Sequence, residues 1–182
     1  MLKPDFNPFP ELITERLRLR RITMEDAPEI YFLRSDPSVL KYLGKEPATS
    51  IKEAEEFIKN INEGIENNNA IIWAIVLAEY PSKVIGTICY WRMLKEHYRA
   101  ELGYVLNPEY WGKGIMKEAI RKVLEYGFAT LEIHSVEARI NPGNIASSAV
   151  LEATGFIREA YYKEDYFYKG KFEDTAVYSR LQ

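Results

Sequence analysis

Two glycines one residue apart, in Trp111-Gly112-Lys113-Gly114-Ile115-Met116, constrain this chain more than any other stretch. Before them, Ala100-Glu101-Leu102-Gly103-Tyr104-Val105-Leu106 is short and largely apolar and stops at Asn107-Pro108, the pattern of a strand that runs into a turn. After them, Ile115, Met116, Ala119, Ile120, Val123 and Leu124 recur at steps of three and four, which predicts a helix to about Thr130. The unit is therefore strand, glycine loop, helix. Glycines at a helix start let the backbone come close to a ligand, which meets the free amides of the first turn and the positive end of the helix dipole. Such a turn is an anion site, most plausibly for phosphate. It is neither a dinucleotide fingerprint, which would need a further glycine at Lys117, nor a P-loop, whose glycines stand four residues apart before Lys-Ser or Lys-Thr.

A second strand is predicted at about Ser135 to Ile140, followed by Asn144-Ile145-Ala146-Ser147 and, further on, Gly155-Phe156. In this order the segments resemble the GNAT acyl-coenzyme A N-acetyltransferases, and within them the branch of the ribosomal-protein N-terminal acetyltransferases RimJ and RimL. Thr14-Glu15-Arg16-Leu17-Arg18-Leu19-Arg20 is similar to that branch's opening strand, so the resemblance covers nearly the whole chain. It implies that Trp111, Gly112, Lys113, Gly114, Ile115 and Met116 cradle the pyrophosphate of acetyl-coenzyme A, with Met116 standing where the family carries a small residue. Tyr104, Val105 and Leu106 would hydrogen-bond the pantetheine arm through their backbone, and an amide near Val105 would stabilise the developing oxyanion. Asn144 would bond the pantetheine or the acceptor, with capping of the next helix as the structural alternative. Ser147 would face the thioester sulfur and protonate it, because the tyrosine that does so in many members is replaced here by Leu151.

Transfer of an acetyl group to an amine needs a free lone pair. An α-amine of pKa ~8 is roughly a tenth deprotonated at neutral pH, a lysine of pKa ~10.4 less than about a thousandth. Glu101, on a strand expected to be mostly buried, is the general-base candidate, since burial raises a carboxyl pKa toward a useful range; an ion pair with arginine is the alternative reading. No convincing covalent nucleophile is present, which fits direct attack in a ternary complex. Cys89 lies in an apolar strand and reads as a core residue, and His97 and His134 stand apart without ligand spacing, so no metal is expected.

The rest of the chain predicts one mixed α/β (α+β) domain over residues 1–182, with a mostly antiparallel sheet of about six or seven strands flanked by helices and a splayed parallel pair at the acetyl-CoA site. Residues 1–10, with three prolines, read as an extended arm. Leu17 and Leu19 alternate with Arg16, Arg18 and Arg20, whose charges read as a solvated strand face sooner than as a seat for an acidic partner. Thr23 should cap a first helix ending near Asp36-Pro37, and Ser50 with Glu53 should form a capping box for a longer one. Hairpins are expected from Ala70–Ala78 with Val84–Leu94, and from Ala160–Tyr168 with Phe172–Leu181. Gly86 marks a bulge or a close approach.

A net charge of −3 gives no nucleic-acid footprint, no apolar run approaches the length of a membrane span, and a single cysteine fits a reducing compartment, so a cytoplasmic enzyme is expected. The leading expectation is an acetyl-CoA-dependent N-acetyltransferase acting on a protein N-terminal α-amine. A small-amine acetyltransferase (polyamine, amino-acid derivative or aminoglycoside) and a non-catalytic coenzyme A sensor are the alternatives. The first strand or the final hairpin could pair between copies, and the oligomeric state, homodimer included, stays open.

Overall fold

The computed structural model describes residues 1–182. The strands are β1 (Leu12–Ile13), β2 (Leu17–Arg20), β3 (Ile71–Leu77), β4 (Tyr80–Leu94), β5 (Arg99–Leu106), β6 (Ser135–Ile140), β7 (Ile157–Tyr168) and β8 (Lys171–Leu181). The helices are α1 (Ala27–Ser35), α2 (Pro37–Leu40), α3 (Ile51–Glu66), α4 (Ile115–Ala129) and α5 (Ile145–Glu152). The strands form one sheet in the order β1-β2-β3-β4-β5-β6-β8-β7, antiparallel except for β5 against β6. The sheet has eight strands rather than six or seven, because the start of the chain contributes β1.

Residues 1–10, expected as an arm, form no helix or strand and are firmly docked. Leu2 and Phe6 are buried, and the Trp73 indole N–H donates to Pro10 O at 2.7 Å. One apolar face of the sheet packs under α4, with Trp73, Tyr90, Ile120 and Val123 in one continuous cluster. The opposite face of β3 and β4 packs under α1 and α3 through Ile30, Ile58, Ala74 and Val76. Each fully buried isoleucine or valine there contributes about 1.5–3 kcal/mol. Gly86 is a close approach, since a Cβ there would lie 2.5 Å from Val105 O.

Two local expectations shift. Ser50 precedes α3 without a side-chain cap; Glu53 instead accepts from the backbone N–H of Thr49 at 3.2 Å and from its hydroxyl, so the box is displaced by one residue. The arginine face of β2 is not free in solvent. Arg16 binds Glu118, Arg18 binds Glu11 and Arg20 binds Asp26, each at 2.6–2.7 Å.

The parallel ladder is short. It holds Arg99, Ala100 and Glu101 opposite Ser135, Val136 and Glu137 and then ends, while β5 stays paired with β4 as far as Leu106 and β6 stays paired with β8 as far as Ile140. Leu102–Leu106 and Ala138–Ile140 thus diverge, and the sheet opens as a wedge at its middle. Asn107-Pro108 ends β5 in a 3-10 turn, because proline cannot continue a ladder.

Candidate active site

The glycine loop lies at the mouth of the wedge. Gly112 and Gly114 have φ of +70° and +74°, left-handed values that favour glycine. Nothing lies within 4 Å of where a Cβ on Gly112 would stand, so the backbone there is open to a ligand. Gly114 is the N-cap of α4 and supplies no side-chain cap, which leaves the amides of the first turn to an outside acceptor. Ile115 and Met116 bury their side chains in the core, so only their backbone can take part. Met116 therefore does not crowd the loop. Trp111 closes the far side, its indole N–H donating to Leu106 O at 2.8 Å. Lys113 is exposed, with its ammonium 5.5 Å from the Tyr110 ring centre.

A clamp missed by the sequence reading holds this loop. The Arg16 guanidinium donates to Lys113 O at 3.0 Å and to Glu118 at 2.7 Å, and Glu118 also accepts the Arg16 N–H at 3.0 Å and the Thr14 hydroxyl at 2.5 Å. Burial pushes the Glu118 pKa up, but these hydrogen bonds and the arginine charge outweigh it and hold the carboxyl below its usual range. A first-turn carboxylate would repel a phosphate, and Arg16 cancels that charge. The signal was legible: an acid in the first turn of an anion-binding helix calls for a cation.

Along β5 the backbone alternates its partner. Asn107 N–H donates to Ile85 O at 2.8 Å, so Asn107, Val105 and Gly103 turn their peptide groups to β4. Tyr104 and Leu106 turn theirs into the wedge. Of the three residues expected to meet pantetheine, Val105 is thus occupied by Thr87 on β4, and the amides near it that face the wedge are those of Tyr104 and Leu106. A one-residue register difference of this kind is invisible to composition and periodicity.

Glu101 is 9 % exposed, at the last rung of the parallel ladder, with Trp91 and Glu137 beside it. Burial raises its pKa and Arg92, 3.4 Å away, opposes the rise while Glu137 adds to it. Around it the charges are paired: Glu137 with Arg99 and Arg139, Asp165 with Arg139 at 3.1 Å. Glu173 accepts from the Asn141 amide at 2.8 Å. On the other face of the sheet, Asn144 caps α5 by accepting the Ser147 N–H at 3.1 Å, and the buried Ser147 hydroxyl lies 2.6 Å from that of Tyr104. Glu101 and Ser147 thus approach the wedge from opposite faces. Leu151 is fully buried in the core and takes no part.

The segment 41–48 arches across the open face on the Glu101 side. Tyr166 donates to Gly44 O, Tyr168 donates to Lys45 O at 2.9 Å, and Lys169 lies 3.5 Å from Glu46. Tyr166 and Tyr168 thus tie the β7–β8 hairpin to this segment. Cys89, half-buried below the strap, keeps its proton at neutral pH: desolvation pushes its thiol up to about 12, and its S–H donates to Gly103 O at 3.4 Å.

Wedge, glycine loop and short parallel ladder define the architecture of an acetyl-transferring enzyme, and comparison with known proteins agrees. The profile of the acetyltransferase (GNAT) domain matches residues 16–157, and the chain belongs to the GNAT family of acetyl-CoA-dependent acetyltransferases. It is 35 % identical over 171 residues to N-acetyltransferase p20 of Bacillus licheniformis, covering 94 % of this chain and 96 % of that protein. The crystal structure of spermidine N-acetyltransferase from Vibrio cholerae, in complex with CoA and spermine, superposes with a TM-score of 0.82 at 26 % identity, over 93 % of this chain and 97 % of that one. The ribosomal-protein-S5-alanine acetyltransferase of Vibrio fischeri does so with a TM-score of 0.81 at 28 % identity, over 94 % and 96 %. No cluster of three or more His, Cys, Asp or Glu side chains is placed to hold a metal, and no helix is long and apolar enough to cross a membrane.

Proposed function

We propose that this acetyltransferase modifies the α-amine at a protein N-terminus, by direct attack within a ternary complex in the cytoplasm. Acetyl-CoA supplies the activated acetyl group. The amides of Gly112–Met116 and the Lys113 charge hold its pyrophosphate, while the wedge-facing backbone of Tyr104 and Leu106 and the amide of Asn144 hold its pantetheine. Glu101, a desolvated carboxylate, takes the proton of the incoming ammonium directly or through water. Ser147 donates a hydrogen bond to the departing sulfur.

The observation that carries the choice of acceptor is the charge balance of the open face. Glu101, Glu137 and Asp165 are matched by the three cations Arg92, Arg99 and Arg139, and Glu173 is bonded to the neutral Asn141 amide, so of these four carboxylates one is left without a cation, too few for the several charges of a polyamine. The resemblance to the RimJ and RimL branch and the similarity to the S5-alanine enzyme support the same reading, and the similarity to the spermidine enzyme defines its competitor. Release of coenzyme A thiol measured over a panel of N-terminal peptides and small amines tests it. Turnover on peptides at least tenfold above spermidine is expected. Turnover on spermidine or another small amine alone would overturn the acceptor, and acetyl-CoA binding without release on any amine would favour a sensor.

A further inference from the structure

Ser147 and Ser148 are neighbours in the first turn of α5 and use their hydroxyls differently. Ser148 donates back to Ile145 O at 3.0 Å, the ordinary habit of serine in a helix. Ser147 turns away from its own helix toward Tyr104, with the two oxygens 2.6 Å apart. Tyr104 stands on the stretch of β5 that has no strand beside it on the wedge side, its ring packed against the core beneath α4. The contact therefore spans the wedge, from the diverging strand to the helix that follows its partner.

A single proton lies between two hydroxyls at this distance. A phenol is a far stronger acid than an alcohol, so the phenol is the better donor. Burial pushes its pKa up to about 12, which keeps it protonated at any physiological pH. With Tyr104 donating and Ser147 accepting, the serine proton points away from the tyrosine, and no acceptor within the chain takes it.

We infer that Tyr104 is a positioning residue for the transfer: it fixes the Ser147 hydroxyl so that its O–H is presented to the sulfur of the leaving coenzyme A. The inference rests on the Ser147 role proposed above, and it explains how the chain manages with Leu151 where many relatives of this fold have a tyrosine. Neither hydroxyl gives up its proton. As the carbon–sulfur bond breaks, its electron pair goes to sulfur, which leaves as a thiolate held by one hydrogen bond. The proton that finally neutralises it is the one released by the attacking amine, delivered through solvent. Outright donation from Tyr104 would run uphill, since an ordinary thiol titrates near ~8.5.

The bound product reads this device directly, without turnover. Coenzyme A is titrated with pH in complex with the whole protein by difference ultraviolet absorbance of its thiolate; the protein's single thiol, Cys89, is silent over that range. One hydrogen bond to an anion should lower the bound thiol by roughly one to two pH units below free coenzyme A. Y104F and S147A should each bring it back toward the free value, and Y104F/S147A should go no further than S147A alone. Calorimetric affinity for coenzyme A at pH 6, where the thiol is neutral, should stay within about threefold in all three. A bound thiol that titrates alike in wild type and Y104F overturns the inference, as do strictly additive shifts or a failure of coenzyme A to bind. Peptide acetylation by the wild type with an unshifted thiol would sink the positioning role alone. A Tyr104-dependent shift without turnover on any amine would sink the acceptor reading alone.

Discussion

Replacing Arg16 by methionine should weaken acetyl-CoA binding five- to thirtyfold, chiefly for an electrostatic reason. The substitution keeps the length of the side chain and removes its charge, leaving Glu118 unpaired. Glu118 is the fourth residue of α4, so at ~1.5 Å per residue its Cα stands ~6 Å along the axis from the cap, and we take its carboxylate as roughly 8 Å from a pyrophosphate seated there. At that distance one pair of like charges costs about 2 kcal/mol at an effective dielectric constant of ~20 and about 0.5 kcal/mol in bulk water. Arg16 is 47 % exposed and Glu118 19 %, so the weaker end applies, and the roughly two charges of a pyrophosphate bring the penalty to about 1–2 kcal/mol, the stated range in Kd. Calorimetric titration with acetyl-CoA at low and high salt is the assay. The deficit should shrink at high salt, because charges ~8 Å apart are screened at that scale. R16M/E118Q, which removes both charges, should recover most of the affinity; the residue that stays lost measures the hydrogen bond to Lys113 O. Unchanged binding in R16M, or a loss that neither salt nor the second substitution relieves, would refute the reasoning.

Glu101→Gln should lower turnover about a hundredfold with acetyl-CoA affinity unchanged, and should abolish the acidic limb of the pH–rate profile, which in the wild type lies above the ordinary carboxylate range because burial raises that pKa; loss of binding instead would remove Glu101 from the chemistry. Glu118 has a depressed pKa, so the stability it lends is present at neutral pH and disappears as pH falls through the carboxylate range. The gap in urea midpoint between wild type and E118Q should therefore close toward pH 3, and a gap that widens on acidification would contradict the sign. Gly86→Ala would press a methyl against Val105 O, 2.5 Å away, and should cost about 1–3 kcal/mol in denaturant melts, whereas Gly170→Ala, with open space around it, should be limited to the strain of its φ of +79°.

Periodicity and turn chemistry located the glycine loop, α4, α3 and both hairpins, because those features are written in neighbouring residues. Pairing across the chain was not. Arg16 looked like part of a solvated edge because its partner Glu118 is 102 positions away, and Arg18 and Arg20 because Glu11 and Asp26 sit outside the strand and reach them only once the chain has turned. Leu2 and Phe6 were hidden among prolines that argue for an arm, yet their burial follows from docking against the core. Glu101 and Ser147 could be proposed from motifs, but that they lie on opposite faces, and that Val105 faces β4, depends on strand register. The strap at 41–48 has no pattern of its own; it is held by residues more than a hundred positions away.

That last separation bears on when the enzyme comes into being. Tyr166 and Tyr168 reach back across 122 and 123 positions to Gly44 and Lys45, and β8, which follows both of them in the chain, slots in between β6 and β7. Contacts so distant along the chain form late, since the intervening loop must be closed before they return any stability. A nascent chain that has emerged only as far as α5 carries the glycine loop and α4, but β6 has no outer neighbour and the strap no anchor. The open side of the wedge is thus completed by the β7–β8 hairpin, and acetyl transfer should switch on only when β8 is in place.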